Sequence, residues 1–474
     1  MKTILQKLQE EKQEIRASCN GRGTCGQCKI KVNNRELNIT KIEKKLLNID
    51  DLEEGIRLAC CHNSNEKDCV TVIQDELDIL DTISLSQEIH GKREQGYGII
   101  MDIGTTTIVM KWIDLYSLQC LQTESFSNPQ STFGSDVITR IEYDENHEGV
   151  LHDVLCMNIE EKIKHSKYPP KRMIVSGNTT MIHIFLNISV TSLGKSPFIV
   201  PKRQMQRISS LEIFSNTNLN FPIITFPHIS AFVGGDIVSG ITACDLDIND
   251  TTNMMIDLGT NGEIAIGNKH QILVTSTAAG PAFEGVGIQC GGPSISGAIT
   301  KIWIEDNQVG YLTIHNKKPI CICGSGLISI ISTLLENQLL DEMGRFKDGS
   351  KRFYITEDIF ISVQDIQLFQ LAKAAIQTGI QVLLEEYQDV ETIYISGGFG
   401  SKTRVKDLVN IKLLPKEYCH KVKNIKNSSL SGSYLLLLTQ DYQRLENIIG
   451  IAKNINLAEY PNFEDYLIEG LYFQ

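Results

Sequence analysis

The feature that most constrains this chain is a pattern that occurs twice. Residues 99–110 read IIMDIGTTTIVM, two apolar half-strands joined by the polar turn Asp102-Ile103-Gly104-Thr105-Thr106-Thr107. Residues 255–267 repeat the design: a strand, then Asp257-Leu258-Gly259-Thr260-Asn261-Gly262-Glu263, then a second strand. Glycine at the corner permits a turn that a side chain would obstruct. The threonine N–H groups and hydroxyls then converge on the turn and cradle an anion, phosphate above all. An aspartate at the strand end can hold the accompanying cation, directly or through water, since Mg²⁺ favours oxygen ligands and keeps several waters. One Gly-Thr turn is common. Two of them about 155 residues apart mark an internal duplication on the scale of one lobe. The pair predicts two α/β lobes that grip a polyphosphate from both sides.

Cysteine placement sets the second constraint. Six of the 13 cysteines fall within the first 69 residues. Cys19-Asn-Gly-Arg-Gly-Thr-Cys25-Gly-Gln-Cys28 brings three of them together with Gly21, Gly23 and Gly26 between. Thiolates converging on a small inorganic core need backbone that wraps closely and turns its N–H groups toward sulfur, which the glycines allow. Cys60 follows after a short strand, 29–32, and a polar middle, and supplies the fourth ligand. Plant-type ferredoxins space their ligands C-x4-C-x2-C with a remote fourth cysteine; this chain has one more residue in the first gap. Zinc sites favour paired C-x2-C units, and only one such pair occurs here. The spacing therefore predicts a [2Fe–2S] cluster on Cys19, Cys25, Cys28 and Cys60. Cys61 is the adjacent alternative to Cys60; on an extended segment neighbours point to opposite faces, so one of the two ligates.

With 474 residues the chain has room for two to four domains. A net charge of −12 argues against nucleic-acid binding, which calls for a basic surface. The N-terminal residues lack the apolar core of a secretory signal, and no apolar run approaches the roughly 20 residues that span a bilayer. The expectation is a cytoplasmic protein without a membrane partner. Residues 1–78 form the cluster domain and 79–96 an acidic linker. Residues 97–474 form the remainder, with lobes at about 97–245 and 246–474.

Other segments fall into place around the two turns. Residues 173–181, MIVSGNTTM, read as a strand, a polar turn and a helix, with Asn178 either capping the helix or facing a ligand. Residues 230–243 form a helix despite three glycines, each costing about 1 kcal/mol unless close helix contact needs them. Asp236 is the one acid there and should face a polar cleft rather than a dry core. The glycine-rich stretch 279–292, which contains Glu284, reads as a loop that covers a ligand or meets a partner. Cys323-Gly-Ser-Gly326 precedes an apolar helix and could form an anion nest at its start. Residues 363–386 read as a long amphipathic helix. Residues 392–400 read as a buried strand entering the turn Gly397-Gly398-Phe399-Gly400, where a flat base could lie against backbone. Residues 427–440 read as a closing helix with Gly432 on its contact face. The final Leu471-Tyr-Phe-Gln474 resembles a protease-site remnant, though the residues before it do not look like a tag.

The order of these pieces resembles the phosphate-1, connect-1, phosphate-2, adenosine and connect-2 succession of the sugar kinase/heat-shock 70/actin superfamily. With the cysteine domain in front, the whole chain resembles the reductive activators of corrinoid proteins. The motifs MDIGTTT, VSGNTTM, AGPAFEG, CGSGL and ISGGFGS carry the likeness. It implies a β-grasp ferredoxin-like domain followed by a two-lobed actin-like ATPase. The implied activity is ATP-dependent return of Co(II) to Co(I) on a methyltransferase's corrinoid protein, with an unidentified low-potential electron donor and room for a homodimer. It assigns Mg²⁺ to Asp102 and Asp257 through water, and phosphates to the two turns. The adenosine falls to Gly397, Gly398 and Gly400, and the orientation of attacking water to Asp236 or Glu263. Two departures stand out. A middle region expected between the cluster domain and the first turn is replaced by about 20 linker residues, and Ser433 takes the place of a smaller residue after Gly432. A metabolite kinase with an appended ferredoxin domain and a nucleotide-gated redox sensor or scaffold are the alternatives.

Overall fold

A computed structural model describes residues 2–11, 15, 17, 21, 23, 28–32, 37–47, 52, 55–65, 70–72 and 93–474, apart from 216–217, 260, 307, 388 and 399–402. The acidic linker therefore lies largely outside the described residues, as do Cys19, Cys25, Thr260 and Gly400. The chain divides into two compact units. The N-terminal 75 residues and 93–231 make one, and the second runs from Phe232 to Gln474.

The N-terminal part of the first unit is a three-stranded antiparallel sheet. Lys29–Val32 lies at its centre, flanked by Ile56–Leu58 and Val70–Val72. Ile4–Glu10 forms a helix because Thr3 and Gln6 close a capping box over its free N–H groups. Thr40 and Glu43 do the same for Lys41–Leu46. Ile4, Leu5 and Leu8 bury one helix face against Ile30, Leu58 and Ala59. This is the β-grasp arrangement.

Residues 93–231 build a six-stranded sheet. Its middle is a meander of Tyr97–Ile103, Thr107–Asp114 and Cys120–Ser127, with Pro170–Gly177 added in parallel on the far side of the first strand. The second unit repeats this. Asn253–Leu258, Gly262–Gly267 and Ile272–Thr277 form the meander, and Thr392–Ser396 adds in parallel beside the first strand. The duplication legible in two short turns thus extends through four strands of each sheet. Register fixes the aspartates alike: Asp102 pairs across to Ser176 and Asp257 to Ser396 on the parallel strand.

Two helices of the second unit, Gly235–Ala243 and Ser428–Thr439, cross at close quarters. A Cβ on Gly432 would sit 1.9 Å from the Ser239 carbonyl oxygen, so only glycine fits. The Ser239 hydroxyl donates to the Ser429 carbonyl at 2.6 Å and lies 3.5 Å from the Ser433 hydroxyl. Ser433, the departure noted above, is thereby absorbed into the helix contact. The long helix Val363–Glu385 starts under a Ser362–Asp365 capping box and buries Ile366, Phe369, Ile376, Ile380 and Leu383. Leu471 and Tyr472 are bonded to it: their carbonyls accept from Gln370 and Lys373, both at 2.6 Å.

Candidate functional site

In the cluster domain the chain closes on itself at Cys28 and Cys60. The Ala59 N–H donates to the Cys28 carbonyl at 2.8 Å. Gly21 and Gly23 have φ of +81° and +69°, and a Cβ on Gly21 would lie 4.0 Å from that of Cys60. Gly21 is thereby brought against Cys60. Ala59–Cys61 is a 3₁₀ turn rather than an extended segment. Neighbours there are about 120° apart, not opposed, and the two sulfurs are 3.8 Å from each other. The expectation of opposite faces therefore fails, and position alone does not separate the two cysteines. What distinguishes them is that Gly21 lies against Cys60; burial, followed by the repulsion of Cys60, pushes the Cys61 thiol up to about 12.

Glu43 underpins this corner. Burial by itself raises a carboxyl, but bonds from His62, from the Leu58 N–H and from Thr40 outweigh it and hold Glu43 at about 2. Its Oε1 accepts from Leu58 N and meets His62 Nε2, both at 2.7 Å, which locks the strand leading to Cys60. Nothing in the sequence pattern singled out this residue.

At the first hairpin, Gly104 donates to the Thr107 carbonyl at 3.0 Å, and a Cβ on Gly104 would lie 2.6 Å from that oxygen. The carbonyls of the turn are tied back. Gly104 O accepts from Asn128 Nδ2 at 2.8 Å, Thr106 O from Asn128 N at 2.8 Å, and Thr105 O from Arg140 Nη2 at 2.5 Å. Among the described residues no protein acceptor is found for the Thr105 and Thr106 N–H groups. Carbonyls tied back and N–H groups without a protein acceptor leave donors that an anion could use. Asn178 is a helix cap that also braces the first turn. Its Oδ1 caps the helix Thr179–Phe185, and its Nδ2 donates to the Thr105 hydroxyl at 3.0 Å. Asn128 and Arg140 carry no motif. Their only sequence signals are a polar residue before Pro129 and a cation within a helix.

The second hairpin gathers acids. Asp257 accepts from Ser396 at 2.7 Å and from Ser428 at 3.2 Å, which joins the strand end to the start of helix Ser428–Thr439. Burial raises its pKa, opposed by those two bonds. Glu263 is raised well above the usual carboxylate value, first by burial and then by the charges of Asp236 and Asp257. Asp236, in the first turn of helix Gly235–Ala243, accepts from Ile237 N at 2.8 Å. Glu263 thus lies within reach of the charges of both aspartates. Among the described residues no three His, Cys, Asp or Glu side chains are set to hold a metal directly. Contact through water suits Mg²⁺ better. Gly259 N donates to the Asn261 carbonyl at 3.0 Å, echoing the bond in the first turn. Gly262 packs against Ile376 and Thr277. Gly397, with φ +97°, lies so close to the Leu258 carbonyl that a Cβ would approach within 2.2 Å, whereas the space around Gly398 is open.

One expectation is corrected here. The segment Cys323–Gly326 does not present an anion nest. Residues 324–326 are buried, and a Cβ on Gly326 would lie 2.0 Å from the Ile299 carbonyl. The glycines bring the helix Gly324–Glu336 down onto the strand Ala298–Glu305.

The repulsion at Glu263 predicts an exchange of stability for activity. A carboxyl raised by folding binds its proton more tightly in the folded chain, so its contribution is lost as pH rises above about 4.5. In nucleotide-free protein without Mg²⁺, Glu263→Gln is expected to raise the melting temperature at pH 8 by about 2–4 °C and to flatten its pH dependence. ATP hydrolysis should fall at least about tenfold. An unchanged melting profile between pH 5 and 8 would count against the acid cluster.

A β-grasp cluster domain ahead of two duplicated sheets, each turning on an Asp-Gly-Thr hairpin, defines the class: an iron–sulfur protein with an actin-like ATPase fold. Family comparisons agree. Residues 1–63 match the 2Fe-2S iron–sulfur cluster binding domain, 97–249 the RACo middle region, and 251–474 the C-terminal ASKHA domain of RACo. The corrinoid activation enzyme RamQ of Eubacterium limosum is 33% identical over 80% of this chain and 71% of its own length. A [Co(II) methylated amine-specific corrinoid protein] reductase of Methanosarcina barkeri is 27% identical over 76% of this chain and 73% of its own. A solved reductive activator for corrinoid,iron-sulfur protein superposes with a TM-score of 0.70 at 25% identity, covering 99% of this chain and 95% of that one. The chain belongs to the RACo family of reductive activators of corrinoid proteins. The middle region is not missing, contrary to the departure inferred above. It is the lobe that begins with the first hairpin. No helix among the described residues is long and apolar enough to cross a membrane.

Proposed function

We propose that this protein is an ATP-dependent reductive activator. It would pass one electron from a [2Fe–2S] cluster to the Co(II) corrinoid of a methyltransferase partner and restore Co(I). The observation that carries this is the second hairpin, where Asp257 accepts from Ser396 and Ser428 in a repeat of the first Asp-Gly-Thr turn, in a chain that also matches an iron–sulfur cluster domain. Cys19, Cys25, Cys28 and Cys60 would hold the cluster. When bound, it supplies a one-electron couple, near about −400 mV in plant-type ferredoxins.

The chain's own residues do the rest. Gly104, Thr105, Thr106 and Thr107, with Gly259, Thr260, Asn261 and Gly262, bind phosphate oxygens through N–H and hydroxyl groups. Asp102 and Asp257 hold hydrated Mg²⁺. Gly397, Gly398 and Gly400 present backbone to the adenosine. Asp236 or Glu263 orients the attacking water. Phosphoryl transfer asks mainly for positioning and charge neutralisation, which these groups offer. Each step of about 59 mV by which the cobalt couple lies below the donor makes transfer about tenfold less favourable. Nucleotide-dependent affinity for the partner can offset such a gap only if the ATP and ADP states bind it differently.

The test is the fate of the γ-phosphate. Addition of Co(II) corrinoid protein to reduced protein should raise release of inorganic phosphate from ATP. Phosphate appearing on a metabolite instead would favour the kinase alternative. ATP binding without turnover, even with partner and reductant present, would favour the redox sensor. An unidentified low-potential donor and a homodimer belong to the same proposal.

A further inference from the structure

One short buried segment touches both the phosphate turn and the cluster domain. Pro129–Thr132 is a 3₁₀ turn capped by Asn128. At its start, Asn128 holds the carbonyls of Gly104 and Thr106, as described above. In its middle, Gln130 Oε1 accepts from Arg140 Nη1 at 3.2 Å, and the same guanidinium holds Thr105 O. At its end, the Thr132 hydroxyl donates to the Ile15 carbonyl at 2.9 Å and accepts from the Ile15 N–H at 3.3 Å. The Gln9 side-chain amide donates to the Thr132 carbonyl. Ile15 belongs to the cluster domain's core, beside Leu8 and Cys28. Asn128, Gln130, Thr132 and Arg140 are at most 1% exposed.

We propose that Asn128–Thr132 couples the two sites, with Thr132 as the positioning residue that sets the cluster domain's seat according to the state of the phosphate turn. The proposal rests on nucleotide binding at that turn. Four residues of 3₁₀ helix span about 8 Å, at roughly 2 Å per residue. The segment is bonded along its length and buried in packed protein, so it shifts as a body rather than flexing. Phosphate drawn onto the Thr105 and Thr106 N–H groups pulls on a turn whose three carbonyls are tied to Asn128 and Arg140. That pull reaches Ile15 through the Thr132 hydroxyl, beside the Gln9 bond to the Thr132 carbonyl. Arg140 reinforces the connection. Burial lowers its pKa to about 9, with Asp136 opposing. The cation therefore stays charged behind the nest at neutral pH and favours an anion in front of it.

The experiment is hydrogen–deuterium exchange on the full-length holoprotein, with and without a non-hydrolysable ATP analogue and Mg²⁺. In the wild type, the analogue should change exchange at least twofold in peptides covering residues 2–17. Thr132→Val keeps the volume and removes the hydroxyl. It should bind the analogue within about threefold of wild type, keep the cluster's visible spectrum, and lose the response in residues 2–17. Thr132→Ser should retain the response. The proposal is overturned if wild-type peptides 2–17 ignore a bound analogue, or if Thr132→Val responds as wild type does. Absence of analogue binding by the wild type would overturn it together with the nucleotide-binding role of the turn.

Discussion

Asp257→Asn is expected to lower ATP hydrolysis by about 100-fold or more, the scale of removing one positioned electrostatic group from a site. The substitution is chosen for what it leaves in place. An asparagine carbonyl still accepts from Ser396 and Ser428, at 2.7 and 3.2 Å in the native chain, so strand Asn253–Leu258 stays joined to helix Ser428–Thr439. Only the charge is lost, and with it half of the pair proposed to hold hydrated Mg²⁺. Burial already raises the native aspartate's pKa, so the uncharged variant should fold at least as stably. The check is steady-state phosphate release alongside the melting temperature. Hydrolysis within twofold of wild type, in a variant that melts normally, would remove Asp257 from the site.

The second large effect separates two adjacent cysteines. Cys60→Ser should abolish the visible absorption and the reduced-state electron paramagnetic resonance signal of a [2Fe–2S] cluster. Cys61→Ser should leave both. The physical basis is the company each thiol keeps. Gly21, inside the first cysteine motif, lies against Cys60, with 4.0 Å between a Cβ placed on it and that of Cys60. The opposite outcome, with the cluster lost only on replacing Cys61, would reverse the assignment and move the ligand one residue along the 3₁₀ turn.

The parts of this protein that sequence made legible are those in which chemistry dictates residue type over a short span. The first Asp-x-Gly-Thr turn needs glycine because a Cβ on Gly104 would meet the Thr107 carbonyl at 2.6 Å, and the second repeats its pattern. That demand is local, so it shows as a motif. Crossing helices at Gly240 and Gly432 were legible for a related reason: small residues within an apolar helix have little other purpose. Asn128 and Arg140 were not legible. Each acts on the first turn from 24 and 35 residues away, respectively, through an ordinary side chain that only the fold brings there. Glu43 is similar, since its partners Leu58 and His62 lie across the sheet. The CGSG segment misled because glycines before a helix suit either an anion nest or close packing, and only the neighbouring Ile299 carbonyl decides between them. The misplaced middle region has another cause. The middle region carries the first Asp-Gly-Thr hairpin itself, so its sequence shows the ATPase pattern and no separate signal.

The most direct measurement follows the cobalt spectrum. Purified protein, a strong one-electron reductant and a Co(II) corrinoid protein are mixed anaerobically, with ATP and Mg²⁺ or without. Co(I) absorption is expected to grow in with ATP, to stay at background without it, and to stay at background with Asp257→Asn. Equal amounts of Co(I) with and without ATP would contradict the coupling of hydrolysis to electron transfer.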